Sequence, residues 1–370
     1  MKIATFNMEN IFHRDESLVK RSMSHSLAAW IEELEELMNK DSRIANDFAR
    51  MRELSFLLGF HKSALEPYVV MRRKAGQLYL RERNATLEYK ASHLSNWNGW
   101  IKLNTKPINE IAVQNKARLI TEVNPDILIL QEVEDRQSLV EFNEHFLPKE
   151  VRFSEIIVLP GNDTKGLEMG IMVKKGYRIE GVKSHVNEMF QNEKLFDKDF
   201  QEFEIISPVG EKIIILSTHL FDTVENKEVS DQRRKKQAHK IAEVYDAIWG
   251  RGDEKIVVAG TLNAPSYCDS LSPLLRQTGL SDIKKHRSFN VDLDEGKDAD
   301  YFSLGAYRLG VNTKQKDYLL LSPELLKEVG NSGLNRKGIW PERKNQYRVY
   351  NSLQSESQQA SSHPILWAEI

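Results

Sequence analysis

The chain has 370 residues, 40% of them hydrophobic, with a formal net charge of −2 and a single cysteine. That length can bury a sizeable core, and the balanced charge excludes a polycationic nucleic-acid coat, which needs many cationic phosphate contacts. Cys268 alone excludes an intrachain disulfide and a thiolate zinc cluster, so a reducing, cytoplasmic setting is the default.

Residues 2–6 are apolar and β-leaning and read as a buried strand. Polar Asn7 and Glu9 interrupt that run too early for a signal peptide, and no run of about 18 apolar residues predicts a membrane span anywhere. From about residue 17 to 59 apolar residues recur at helical spacing, among them Leu34, Leu37, Met38, Met51 and Leu54. Residues 67–103 are mixed, with β-like pieces at 68–71 and 78–80 and a tryptophan-rich piece holding Trp97 and Trp100. A helical insertion over 13–108, within one domain spanning 1–370, is the expected organisation.

From residue 109 helices and strands alternate. The spacing predicts helices over 109–123, 137–147, 230–249 and 270–276. It predicts strands at 126–130, 153–158, 168–174, 177–183, 201–206, 212–218, 255–260, 317–321 and 364–370. Residues 286–315 and 345–361 read as loops. Interleaved and consecutive strands together predict a layered α/β sandwich.

Asn7, Glu132, His219, Asn263, Asp317 and His363 each fall at the end of a predicted core strand. Singly, a carboxylate or histidine in that place is more often a cap or a packing residue. Together they converge only if the strands line one open edge. Phosphodiester hydrolysis uses such a cluster: oxygen ligands for Mg²⁺ or Mn²⁺, a base for water, and donors on the phosphate.

The run from Ile3 through Asn7 and Glu9 to Phe12 resembles the opening strand of the endonuclease/exonuclease/phosphatase superfamily, the DNase I-like phosphoesterases. Asp126 through Glu132, Ser217-Thr218-His219-Leu220, Lys316-Asp317-Tyr318 and Ser361-Ser362-His363 resemble its later motifs, in the same order over the whole chain. The insertion and the segment Gly161-Asn162-Asp163 are similar to a bacterial branch. The resemblance implies a four-layer α/β/β/α sandwich and a divalent-metal-dependent phosphodiesterase, with nucleic acid as the expected substrate. It implies that Glu132 is the main metal ligand, that Asn7 positions metal or phosphate, and that Glu9 lies outside them. Asn263 would hold the phosphate or attacking water, and His219 would touch the scissile phosphate, oriented by Glu168. Asp317 and His363 would form a carboxylate–imidazole pair.

Four positions depart from that pattern. Thr261 and Ser362 stand where the superfamily has aspartates, and Phe221-Asp222 where the branch has lysine and serine. A threonine hydroxyl holds water but is no base near neutral pH, and losing two carboxylates weakens the hold on a hard cation. A catalytically impaired binding or regulatory module, and a small-molecule or lipid phosphatase of the same fold, therefore stand as alternatives. Elsewhere, the basic run 232–240 reads first as a solvated helix face. Arg72, Arg73, Lys74, Arg81 and Arg83 mix with Tyr79 and Tyr89, a mixture that reads equally as a nucleic-acid groove or an ordinary amphipathic surface, and His185, His239 and His286 read as surface residues.

Overall fold

The computed structural model describes residues 1–11, 13–14, 25–40, 42–57, 69–73, 99–103, 106–163, 167–222, 226–291, 315–341 and 346–370. The chain forms two compact units, one of residues 12–108 with 163–167 and one of the remainder. In the smaller unit, helices His25–Asn39 and Ala45–Leu57 bury Leu34, Met38, Met51 and Leu54. Arg50 there pairs with Glu33 at 2.7 Å. Strand Val69–Arg73 runs antiparallel to Gly99–Leu103, so the insertion carries strands as well as the expected helices. Lys74, Tyr79, Arg81, Arg83, Tyr89 and Trp97 lie outside the described residues.

Among the described residues of the larger unit, thirteen strands form two sheets, labelled here in chain order, beside a short hairpin of Met189–Phe190 and Glu193–Lys194. They are β1 (Lys2–Asn7), β2 (Ile127–Val133), β3 (Glu155–Leu159), β4 (Glu168–Val173), β5 (Arg178–Ser184), β6 (Phe200–Ile206) and β7 (Lys212–His219). There follow β8 (Ile256–Thr261), β9 (Ser281–Asp282), β10 (Phe289–Asn290), β11 (Asp317–Leu321), β12 (Asn331–Asn335) and β13 (Ile365–Glu369). One sheet runs in the order β10-β12-β13-β1-β2-β4-β3 and the other β9-β11-β8-β7-β6-β5. Pairing is mostly antiparallel, but β1 is parallel to β2, β7 to β8 and β10 to β12.

Alternation fixes the layers. Ile3, Ile127, Ile129 and Leu366 of the first sheet meet Phe203, Ile213, Val257 and Leu319 of the second in one core between the sheets. The intervening residues Ile214, Leu216, Ile256, Val258 and Leu320 face outward onto a long helix, where they meet Ala238, Ile241, Tyr245 and Ile248. Strands covered on both faces read as continuous apolar runs, which is why β2 and β8 are so legible in the sequence.

Three helices cover the outer faces: α1 (Glu110–Val123), α2 (Arg136–His145) and α3 (Lys227–Trp249). Each begins at a side-chain cap that takes up orphan backbone donors: Asn109 on Ile111, Asp135 on Ser138, and Asn226 on Glu228 and Val229. Helix α1 contacts β13 and α2 contacts β3, both in the first sheet, so the order is α/β/β/α, as expected. Among the described residues no helix is long and apolar enough to cross a membrane.

Two features tie the chain around one sheet edge. The fully buried Lys116 of α1 donates to the carbonyls of Met8, at 2.7 Å, and Ala360. Gly260 has φ 140°, and a Cβ there would lie 1.9 Å from the Thr218 carbonyl oxygen, so only glycine lets β8 close on β7.

Candidate active site

Strands β1, β2, β7 and β8 end at this edge, and the antiparallel β11 begins there. Asn7, His219, Thr261 and Asp317 therefore stand at strand ends, with Glu132 one residue short of the end of β2 and His363 just before β13.

One wall is a hydrogen-bond chain. Asn7 Nδ2 donates to Thr261 Oγ1 at 3.2 Å, and Thr261 Oγ1 donates to Asp317 Oδ1 at 2.8 Å. Asp317 Oδ2 lies 2.7 Å from His363 Nδ1. Burial opposes charging His363, but the adjoining Asp317 carboxylate outweighs it and pushes the imidazole up to about 9. Burial likewise opposes ionising Asp317, and the His363 charge with the Thr261 hydroxyl holds its carboxyl below the ordinary value. The pair is thus an imidazolium–carboxylate at neutral pH, with Nδ1 committed and Nε2 left to the cleft. Ser361 Oγ donates to the Asn7 carbonyl at 2.8 Å and accepts from His363 N–H at 3.1 Å, which fixes this segment on β1.

The other wall is built on irregular backbone. Glu132 has φ 56° at a register shift between β2 and β4, so one extra residue bulges and turns its carboxylate off the strand's own face. Asn263 has φ 52°, and its Nδ2 donates to the Leu220 carbonyl at 2.9 Å and to Asp222 Oδ1 at 2.6 Å. Lys198 is buried, with Nζ 3.3 Å from Glu132 Oε1 and 3.7 Å from Asp222 Oδ2. Its Nζ is 3.0 Å from both ring nitrogens of His219, and that equal reach places the ammonium over the ring face. Burial, with the Lys198 charge, pushes His219 down, so the imidazole is neutral. Burial would raise Glu132, but His219, Lys198 and Asn7 hold its carboxyl below the ordinary value.

The fold thus brings Asn7, Thr261, Asp317 and His363 onto one wall and Glu132, His219 and Asn263 onto the other. The two walls act on each other: Asn7 helps to hold the Glu132 carboxyl below its ordinary value, and both Glu132 and Glu9 act on the His363 charge. Ser362 donates from N–H and Oγ to the two carboxylate oxygens of Glu9, at 2.9 and 2.6 Å. Glu168 stands opposite Val133 in the register of β2 and β4, and its Oε2 accepts from Gly161 N–H at 2.6 Å. The His219 ring lies 3.6 Å from Glu132 and 3.5 Å from Asp222.

The donor set fits a hard divalent ion poorly. Mg²⁺ takes six oxygen ligands in near-ideal geometry. Here Asn7 Oδ1 accepts from Glu9 N–H at 3.0 Å, the Glu9 oxygens are engaged by Ser362, and Glu132 faces an ammonium. Among the described residues no group of three or more His, Cys, Asp or Glu side chains is arranged to hold a metal ion.

Lys198 escapes a reading of the sequence because it belongs to a loop, Phe196-Asp197-Lys198-Asp199-Phe200, and to none of the motifs. Its one signal is a charged triplet between two phenylalanines just before a strand. The basic run on α3 is likewise more than a solvated face. Arg234 is 2% exposed and donates to the Phe221 carbonyl at 3.0 Å, and Arg233 pairs with Asp197 at 2.6 Å. His185, expected at the surface, is buried, stacked on Phe200 and 2.6 Å from Glu202.

Beside Asp317 and Ser362 opens a cleft of about 610 Å³ lined by Lys284, Lys316, Arg336, Trp340 and Tyr347. Lys284 is 5% exposed with its ammonium 6.0 Å over the Tyr318 ring, and the Arg336 guanidinium lies 4.0 Å over the Tyr347 ring.

No family model and no curated protein matches the chain. Among solved structures, truncated Caenorhabditis elegans TDP2 is 20% identical, covering 70% of this chain and 90% of that one with a TM-score of 0.45. Bacteroides thetaiotaomicron mannosyl-6-phosphatase Bt3783 is 15% identical, covering 70% and 91% with a TM-score of 0.48. The human Nocturnin catalytic domain is 16% identical, covering 69% and 85% with a TM-score of 0.44. Two facing mixed sheets, helices on both outer faces and the motif residues gathered at one sheet edge give this chain the fold of the endonuclease/exonuclease/phosphatase superfamily, the DNase I-like proteins.

Proposed function

We propose that this edge binds a phosphodiester and hydrolyses it slowly, with single-stranded nucleic acid as the substrate class. The observation that carries the reading is the buried Asp317–His363 pair, 2.7 Å apart, sharing an edge with Glu132, His219 and Asn263. In it, the His363 imidazolium presents Nε2–H to a phosphoryl oxygen or to the leaving oxygen. Lys198 adds a donor on the same phosphate, and Asn263, whose amide hydrogens are engaged by the Leu220 carbonyl and Asp222, holds Asp222 in place. Glu132 is the carboxylate near enough to accept a proton from water, and its depressed pKa makes it a weak base. With Thr261 in place of a carboxylate, turnover falls about 10²–10⁴-fold below that of a site with a positioned base.

The adjoining cleft favours nucleic acid over a compact headgroup. It combines Lys284, Lys316 and Arg336 with the rings of Trp340 and Tyr347, the mixture on which backbone and bases are held together. A second reading, a module that binds phosphodiesters without turnover, is favoured by Thr261 itself, whose hydroxyl is engaged with both Asn7 and Asp317.

Incubation with single-stranded DNA, RNA and a chromogenic phosphodiester decides between them, with arms in Mg²⁺, in Mn²⁺ and in EDTA. Slow cleavage that disappears in His363→Ala supports hydrolysis. Oligonucleotide binding without cleavage in any arm supports the binding module, and neither binding nor cleavage defeats both readings.

A further inference from the structure

We propose that the Lys198 ammonium is the resident cation of this edge, so that phosphate is bound here by the chain's own charge and without a divalent metal. The proposal rests on the phosphodiester reading for what is bound, but its test does not depend on turnover.

The first support is position. Lys198 is 6% exposed, and its Nζ stands between Glu132 Oε1 at 3.3 Å and Asp222 Oδ2 at 3.7 Å, over the His219 ring. Glu132 is the carboxylate that a divalent ion at this edge would need. An ammonium is a compact point charge with three donors. Seated here, it can hold Glu132 with one and turn others to a phosphate oxygen.

The second support is that the loop is built to hold it. The Lys198 carbonyl accepts from Asn162 N–H at 2.7 Å. A Cβ at Gly161 would come within 2.7 Å of that same carbonyl oxygen, so the close approach requires glycine. Glu168 Oε2 pins the Gly161 N–H at 2.6 Å, which gives this buried carboxylate a task one step away from the phosphate. On the flanks, Asp197 is gripped by Arg233 at 2.6 Å and by Gln237 at 3.2 Å. Asp199 accepts from Ser184 at 2.7 Å. Neighbours on both sides of Lys198 are thus fixed, and its side chain is confined to the edge.

The third support is the pattern of substitution. Thr261 is tied to Asn7 and Asp317, and Ser362 to Glu9, so neither position supplies a metal carboxylate. A dication at Glu132 would meet a fixed like charge that already faces both nearby carboxylates, Glu132 and Asp222. Loss of two anions and placement of a buried cation are two sides of one exchange.

The test measures Mn²⁺ binding by electron paramagnetic resonance and inorganic phosphate binding by calorimetry. Both use the full chain, as native protein and as Glu132→Gln, Lys198→Met and Lys198→Arg. Native protein is expected to bind phosphate equally in EDTA and in Mn²⁺, and to show no Mn²⁺ uptake that Glu132→Gln removes. Lys198→Met is expected to lose at least about tenfold in phosphate affinity, the effect of deleting a charged donor. It should also gain an Mn²⁺ site that depends on Glu132, whereas Lys198→Arg retains metal-free phosphate binding. One equivalent of Mn²⁺ on native protein, lost in Glu132→Gln, overturns the proposal. So does phosphate binding that needs metal, or that is found under neither condition. Should Lys198→Met fail to fold, the native and Glu132→Gln measurements still decide. Metal-free phosphate binding without cleavage would defeat hydrolysis and leave this proposal standing.

Discussion

On one wall of the cleft, Asn7, Thr261, Asp317 and His363 are linked in series and anchored to strands β1, β8, β11 and β13. On the other, Glu132 sits on a bulge, Asn263 in a left-handed turn, and Lys198 and Asp222 on loops. The strand-borne wall holds the Asp317–His363 pair. The loop-borne wall holds the Lys198 ammonium beside Glu132. A sheet register is hard to alter locally, because a slip of one residue moves every side chain to the other face. Loops accept new residues one at a time, so a change of function is written there first.

The largest perturbation breaks both walls at once. Gly260→Ala places a methyl 1.9 Å from the Thr218 carbonyl oxygen at a φ of 140°. It is expected to cost more than about 4 kcal/mol, read as a fall in the urea midpoint. Next, Asp317→Asn breaks only the strand-borne wall and leaves the His363 charge buried and unpaired, at a cost of about 3–5 kcal/mol. This variant also has a pH signature. His363 is held at about 9 in the fold against an ordinary 6.5, so its contribution of about 3 kcal/mol is complete below about pH 6.5. That contribution is lost as pH rises through about 9. Native protein should lose stability over that window and Asp317→Asn should not, in denaturation curves taken from pH 6 to 10.

A smaller effect distinguishes the cation from the missing carboxylate. Thr261→Asp sets a second carboxylate about 2.8 Å from Asp317, where both cannot ionise freely. It is expected to destabilise by about 2 kcal/mol, with no gain in turnover while Lys198 remains; combined with Lys198→Met, activity should become dependent on Mn²⁺. The smallest effect is reserved for the loop-borne wall. Arg233→Met releases Asp197 and should change stability by less than about 1 kcal/mol, as for an exposed pair. Phosphate affinity should nonetheless fall several-fold, because the Lys198 loop is loosened. Equal losses of stability and affinity would remove the distinction between the two walls.

Much of the strand-borne wall is legible in the sequence. Continuous apolar runs mark β1, β8 and β11 and, on the other wall, β2, and the polar residues that flank them point to Asn7, Asp317, Glu132 and Asn263. What periodicity leaves out is local backbone. Nothing in Gln131-Glu132-Val133 reveals the positive φ that aims Glu132, and strand β12, Asn331–Asn335, has too little apolar alternation to be read as a strand. Long-range polar contacts are equally silent. Lys198 meets Glu132 across 66 positions of sequence, and Arg233 meets Asp197 across 36. Spacing rules describe neighbours on one element and have no purchase on such pairs.

The Lys116 ammonium has a consequence for substrate choice. One charge from helix α1 clasps the carbonyls of Met8 and Ala360, next to the segments that bear Glu9 and Ser362. Parting those segments would strip the buried ion of two carbonyl acceptors. Helix α1 therefore stiffens this side of the edge from beneath, so a ligand meets a surface that gives little as it binds.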